Sequence, residues 1–167
     1  DDIFINVLPN FHTLGFTTSG LLPLLGGYPQ AIMPTFMPPE SAIECIKAAE
    51  VTVMIAVPTM VALMLGAIAR GVMPPSSLRL LVTGGDRFPA RLDARTKQLL
   101  GVSVLEGYGL TETSPVVSIN ESVARRKLGT VGTVLEGYDV EVRGPEGELL
   151  PLGAEGTLWV KGPSVFK

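Results

Sequence analysis

The chain has one cysteine, Cys45, and one histidine, His12, among 167 residues. A lone thiol excludes an internal disulfide framework and a cysteine-based metal site. Its place in an apolar helical pattern marks a buried, inert side chain, and a reducing, cytoplasmic setting fits it. A lone histidine restricts catalytic triads, and no serine stands in a G-x-S-x-G elbow. There is no G-x-x-x-x-G-K-[ST] phosphate loop and no G-x-G-x-x-G fingerprint, which argues against a self-contained NTPase or nicotinamide enzyme. Charge is scarce as well. Charged residues make up 17% of the chain and the net charge is -3, so nothing favours nucleic acid or an anionic membrane surface as a partner. The opening residues lack a basic stretch running into an apolar segment and a cleavage site, so no signal peptide is expected.

What is abundant is apolar sequence. Hydrophobic residues reach 46%, enough for a sizeable core and for one domain, or one and part of another. The longest apolar run, Val53 to Ala69, has Thr59 as its only polar residue. Its length approaches that of a membrane span, but Pro58 interrupts it. The β-branched part before Pro58 predicts a buried strand and the part after it a helix ending at Gly71, so no transmembrane segment is expected.

Similar signals recur along the chain. Strands are predicted over 3–8, 31–33, 52–57, 78–82 and 102–105, and helices over 13–25, 38–49, 58–70 and 89–100. This alternation predicts an α/β fold, a parallel sheet with helices on both faces, over residues 1–120. After about Asn120 no helical period appears. Tyr138, Val140 and Val142 alternate with Asp139 and Glu141, and Gly144-Pro145, Glu146-Gly147 and Gly153 mark turns. Residues 121–167 are therefore expected to begin an antiparallel β module, with pairing from near Gly129. The run Arg125-Arg126-Lys127 at the join reads as a solvated loop.

Four segments carry candidate chemistry. Thr83-Gly84-Gly85-Asp86 follows a strand directly, where ligands bind in open α/β sheets, and its glycines let backbone approach a ring or a phosphate. An ordinary strand-to-helix turn explains the same residues. Glu106-Gly107-Tyr108-Gly109-Leu110-Thr111-Glu112-Thr113 follows another strand end. It offers a ring for stacking, a hydroxyl for phosphate and a carboxylate for Mg²⁺, or else a polar loop with a helix cap at Thr111 or Thr113. His12, after Pro9-Asn10-Phe11, is a ligand contact or a structural imidazole. Gly129-Thr130-Val131-Gly132 is a ligand contact or a tight link between segments.

Taken in order, these segments resemble a known family. Tyr108-Gly109-Leu110-Thr111-Glu112 resembles the Y-G-x-T-E signature of the AMP-forming acyl-activating superfamily, which includes acyl-CoA synthetases, luciferases and peptide-synthetase adenylation domains. Pro9-Asn10-Phe11-His12 with Gly15 resembles its P-x-F-H-x-x-G segment, and Val82 to Asp86 its G-G-[AED] turn. Gly129 to Gly132 resembles its G-x-x-G segment, and Glu155 to Pro163 its G-E-[IL]-x-[VI]-[KR]-G-P strand, with Thr157 where the family has glutamate. The stretch Glu106 to Asn120 looks most like the bacterial long-chain acyl branch.

The resemblance implies a ligase of the acid–thiol type that turns a fatty acid or related carboxylate and ATP into acyl-adenylate and pyrophosphate. The acyl group then passes to CoA, acyl carrier protein or lysophospholipid. It implies ATP or AMP held by Gly84, Gly85, Asp86, Tyr108, Gly109 and Thr111, with Tyr108 stacked on adenine. It further implies Thr111 on the α-phosphate, Glu112 on Mg²⁺, and His12 near the carboxylate. Asp86-Arg87 stands where Ala-Pro is commoner, which favours backbone contacts there. The family's phosphate loop is expected before Asp1, and its ribose-binding aspartate, hinge and catalytic lysine after Lys167, so the chain is expected to be an internal fragment, inactive alone. Two other readings compete: a non-catalytic nucleotide- or acyl-binding regulatory domain, against which Thr111 and Glu112 count, and an unrelated Rossmann-like binder, against which the missing fingerprint counts.

Overall fold

The computed structural model describes residues 2–166. Asp1 and Lys167, the outer limits of the two expected segments, lie outside the described residues. The α/β segment opens with β1 (Phe4–Asn6), a π-helical stretch (Gly15–Leu21) and α1 (Leu22–Gly26). Next come β2 (Gln30–Ile32), α2 (Pro39–Ala48), β3 (Val53–Ala56), α3 (Pro58–Ala69), β4 (Leu80–Thr83) and α4 (Ala90–Leu100). Then follow β5 (Val104–Gly109), a 3₁₀ turn (Thr111–Thr113), β6 (Val116–Ile119), β7 (Thr133–Val134), β8 (Asp139–Arg143) and β9 (Thr157–Lys161).

The large sheet has the order β2-β1-β3-β4-β5-β6-β7. The pairs from β2 to β5 are parallel, and β5–β6 and β6–β7 are antiparallel. β8 and β9 form a separate antiparallel pair in which Glu141 faces Trp159 and Val140 faces Val160. The expected fold class is thus found: a mostly parallel sheet with helices, followed by antiparallel strands.

The apolar run divides at Pro58 as the sequence predicts. Proline suits the first turn of a helix because it lacks the N–H that would be orphaned there, and Pro39 and Pro58 open α2 and α3 in this way. All four residues of β3 are buried, so both faces of the sheet are covered at its centre. On one face lies the π-helical stretch, where a Cβ on Gly20 would stand 3.6 Å from the Asn6 amide nitrogen. The other face carries the row Ile5, Met54 and Leu81, fully buried and in register, with α2, α3 and α4 side by side over it. Burying each such side chain contributes roughly 1.5–3 kcal/mol.

Two features depart from the expectations. β5 runs on through Glu106-Gly107-Tyr108-Gly109, and β6 pairs with it, so the motif lies in strand rather than in loop. Arg126 is not solvated. Its guanidinium donates to both carboxylate oxygens of Asp93 on α4, at 2.5 and 3.1 Å, and to the Val104 carbonyl at 2.8 Å. Its neighbours Arg125 and Lys127 remain exposed. The Ser122–Arg126 turn aims the middle residue inward, where Asp93 waits 33 positions earlier in the chain.

A second ion pair ties the chain's start to β4. The Arg79 guanidinium beside Asp2, reinforced by the Thr52 hydroxyl, holds the Asp2 carboxyl below the usual carboxylate range. With the lower pKa in the folded state, this stabilisation is present above the unfolded value and fades as pH falls through the folded one. Asp2→Asn is therefore expected to lower the urea midpoint at about pH 7 and to lower it less at about pH 3. An equal shift at both pH values would show that the pair contributes nothing through its charge.

Candidate functional site

At the carboxyl ends of β4 and β5 the surface opens into a cavity of about 280 Å³. The strands are adjacent and parallel, with Thr83 opposite Glu106. Gly84 and Gly85 follow β4 directly, and Tyr108 sits in the last turn of β5's register before the strand bends. A Cβ on Gly84 would stand 3.6 Å from the Gly107 carbonyl oxygen, so the two glycine-bearing segments face each other at close range. Gly85 has φ +82°, a conformation that any other residue adopts at a cost.

The cavity wall includes His12, Gly84, Gly85, Tyr108, Gly109, Thr111 and Glu112. Residues from three separate motifs, distant in sequence, therefore meet in one place. Asp86 does not join them. Its exposed side chain turns back to accept from the Arg87 N–H at 2.7 Å, because Gly85 swings the chain outward before it. The Gly129–Gly132 segment lies apart, around a shallower depression that includes Asn120, Arg125 and Lys127.

Local geometry explains why these residue types stand here. The β5–β6 register shifts between Tyr108 and Gly109. There the Pro115 carbonyl crosses so close to Gly109 that an added Cβ would overlap it, so only glycine lets β6 fold back at this point. The chain then makes the 3₁₀ turn that presents Thr111 and Glu112 outward, both exposed. Thr113 faces the other way and is buried. Its hydroxyl accepts from the Leu110 N–H at 3.0 Å, and its proton lies between the Leu110 and Pro115 carbonyls, each at 2.9 Å. Of the two hydroxyls read as possible caps, Thr113 performs that role and Thr111 stays free to meet a ligand.

His12 is exposed at the cavity edge, and its Nδ1 accepts from the Leu14 N–H at 3.1 Å. That bond leaves the ring proton on Nε2 and fixes the ring against the start of the helical segment. Leu14 itself, which the sequence reading passed over, packs its methyls against the Gly84-Gly85 turn at 3.7–3.9 Å from the glycine Cβ positions. Glu106, which the sequence marked only as the first residue of its segment, has a carboxylate that accepts from the Phe88 N–H at 3.3 Å and secures the segment after Asp86.

The cavity combines backbone, the Tyr108 ring, the His12 imidazole, hydroxyls, one carboxylate and apolar side chains such as Leu14, Ile55 and Val82. No lysine or arginine is among the described residues that line it. Among the described residues the Glu112 carboxylate makes no ion pair, and no cluster of three or more His, Cys, Asp or Glu that could hold a metal occurs. A single open carboxylate suits Mg²⁺ delivered with a polyphosphate, since that ion takes one or two protein carboxylates together with substrate oxygens. It does not suit a metal held by protein ligands alone. No helix among the described residues is long and apolar enough to cross a membrane.

Comparison with known proteins places the same residues in a wider setting. The sequence profile described as AMP-binding enzyme matches residues 1–167. A feruloyl-CoA synthase from Amycolatopsis is 31% identical over the whole chain, which corresponds to 34% of that protein. A long-chain-fatty-acid–CoA ligase from Yersinia pestis is 40% identical over 91 residues, 54% of this chain and 16% of the relative. Among solved structures, ATP-bound MatB from Rhodopseudomonas palustris superposes over the whole chain with TM-score 0.89 and 32% identity, covering 33% of MatB. The chain thus spans about a third of the length of the relatives it matches from end to end.

Proposed function

The chain belongs to the AMP-binding enzyme family, and from that premise we propose that it is an internal part of a longer acid–thiol ligase and supplies that enzyme's adenine and α-phosphate contacts. The observation that carries this reading is the meeting of Gly84-Gly85, Tyr108 and Thr111-Glu112 around one cavity at the carboxyl ends of adjacent parallel strands. The adenine ring stacks on Tyr108 and is faced by the Gly84-Gly85 backbone. The Thr111 hydroxyl donates to an α-phosphate oxygen. Glu112 would hold Mg²⁺, which neutralises phosphate charge when bound. His12, at the cavity edge, orients the substrate carboxylate.

In the reaction so assigned, a carboxylate oxygen attacks the α-phosphorus and pyrophosphate leaves, giving acyl-adenylate. A thiolate sulfur of CoA or acyl carrier protein then attacks the acyl carbonyl and AMP leaves. This chain's residues act by position and by donors aimed at developing charge. The carboxylate is a fatty acid in this proposal, supported by the likeness to a long-chain-fatty-acid–CoA ligase. ATP–pyrophosphate exchange by the longer enzyme, with fatty and aromatic acids offered in turn, tests the reading; absence of exchange with every acid would overturn it.

A second expectation concerns the 167-residue chain alone. Its core is large enough to fold, but among the described residues its cavity offers no lysine or arginine to a triphosphate. It should show no acid-dependent pyrophosphate exchange above background and only weak ATP binding, about millimolar, because one base and one phosphate contact remain. Exchange by the isolated chain would show that it holds a complete site.

A further inference from the structure

The 3₁₀ turn Thr111–Thr113 is three residues long, and its own hydrogen bonds are few: the Thr113 N–H to the Leu110 carbonyl at 3.1 Å and the Ser114 N–H to the Thr111 carbonyl at 3.2 Å. Its outward carbonyls are met by donors from the later, antiparallel part of the chain. The Tyr138 hydroxyl donates to the Thr113 carbonyl at 2.6 Å. The Phe166 N–H donates to the Glu112 carbonyl at 3.1 Å. In the reverse direction the Ser114 hydroxyl donates to the Ser164 carbonyl at 3.1 Å. Segments 138 and 164–166 thus grip two residues of the turn and the one that follows it, Glu112 to Ser114.

Of these contacts, the one from Tyr138 is made by a side chain with a prepared seat. The half-buried ring lies across Gly162, where an added Cβ would overlap the ring carbons. Gly162 is therefore bare so that the Tyr138 ring can lie flat and its hydroxyl can reach the turn. The Thr113 hydroxyl fixes the turn from inside the sheet while the Tyr138 hydroxyl fixes its carbonyl from outside.

We infer that Tyr138 is a positioning residue that holds Thr111 and Glu112 in register with the cavity through the Thr113 carbonyl. This rests on the function proposed above for the turn. The phenol does not line the cavity, so it touches neither nucleotide nor acid. Its loss should loosen where Thr111 points without removing any ligand contact, and so should lower turnover rather than ground-state binding.

The test is a pair of substitutions in the longer enzyme, Tyr138→Phe and Thr111→Ala, singly and together, assayed by pyrophosphate exchange. Tyr138→Phe keeps the ring on Gly162 and removes only the hydroxyl. It is expected to lower kcat roughly three- to tenfold, as loss of one hydrogen bond allows, with KM for ATP unchanged. In the Thr111→Ala background its effect should shrink, because one of the two groups it positions is gone. An equal loss in both backgrounds would overturn the inference in favour of a general structural role, as would a rise in KM with kcat unchanged. A slow Thr111→Ala beside a wild-type Tyr138→Phe would sink this inference alone. A Thr111→Ala that keeps full activity would sink the function proposed for the turn as well.

Discussion

Thr111→Ala in the longer enzyme is expected to slow acyl-adenylate formation by about a hundredfold or more, with little change in the concentration of acid needed for half-maximal rate. The hydroxyl is exposed at the cavity wall, and no hydrogen bond within the described residues engages it, whereas the Thr113 hydroxyl two residues on is consumed by the turn. In the proposed reaction a free donor at this place would meet charge that grows on the α-phosphate as the carboxylate attacks. Removing one such donor costs roughly 3 kcal/mol of transition-state stabilisation. Thr111→Ser, which keeps the hydroxyl, should recover most of the rate, and Thr113→Ala should lower stability as well as rate. Pyrophosphate exchange within about twofold of wild type for Thr111→Ala would remove Thr111 from the chemistry.

The second large effect is on stability. Arg126→Met should destabilise the fold by about 3–5 kcal/mol, because the Asp93 carboxylate would be left buried without its partner. Both side chains are nearly inaccessible, at 12% and 9% exposure, and the guanidinium also satisfies the Val104 carbonyl at the start of β5. The substitution thus strands a charge and an acceptor together. Asp93→Leu combined with Arg126→Met removes both charges and should regain most of the loss, since apolar replacement of a buried pair is often neutral. Urea unfolding followed by circular dichroism measures both variants. A loss under about 1 kcal/mol for Arg126→Met would mean that water reaches Asp93 once the arginine is gone.

Much of the fold was legible in the sequence because its signals are local. Pro58 splits an apolar run into β3 and α3, and Gly101 stops α4 where the periodicity ends. The cavity was legible for the same reason: Gly84-Gly85 and Tyr108 each follow an apolar strand pattern, and strand ends on one side of a parallel sheet must meet. What was hidden depends on partners far away in sequence. Gly107 and Gly109 depress strand propensity, so β5 looked finished at Leu105; pairing with β6 overrides that preference. The inward turn of Arg126 was invisible because Asp93 lies on α4 and a charged triplet alone reads as solvated. A helical period over 13–25 marks a helix but does not distinguish the π-helical winding of Gly15–Leu21, where the Thr18 hydroxyl donates to the Leu14 carbonyl at 2.6 Å. The Asp86 side chain points away for a reason that lies in one backbone angle at Gly85.

β5 is parallel to one neighbour and antiparallel to the other, and this gives the two walls of the cavity different chain-entropy histories. The wall formed by Thr111 and Glu112 closes a short loop between β5 and β6, an inexpensive event for an unfolded chain. The wall formed by Gly84 and Gly85 reaches Tyr108 only when β4 and β5 lie side by side, which requires the whole α4 crossover to be in place. A peptide spanning β5 to β6 would lack the cleft even where its short loop closed. In the proposed reading recognition is therefore a property of the assembled sheet: the signature residues acquire an opposite wall at the moment the crossover closes.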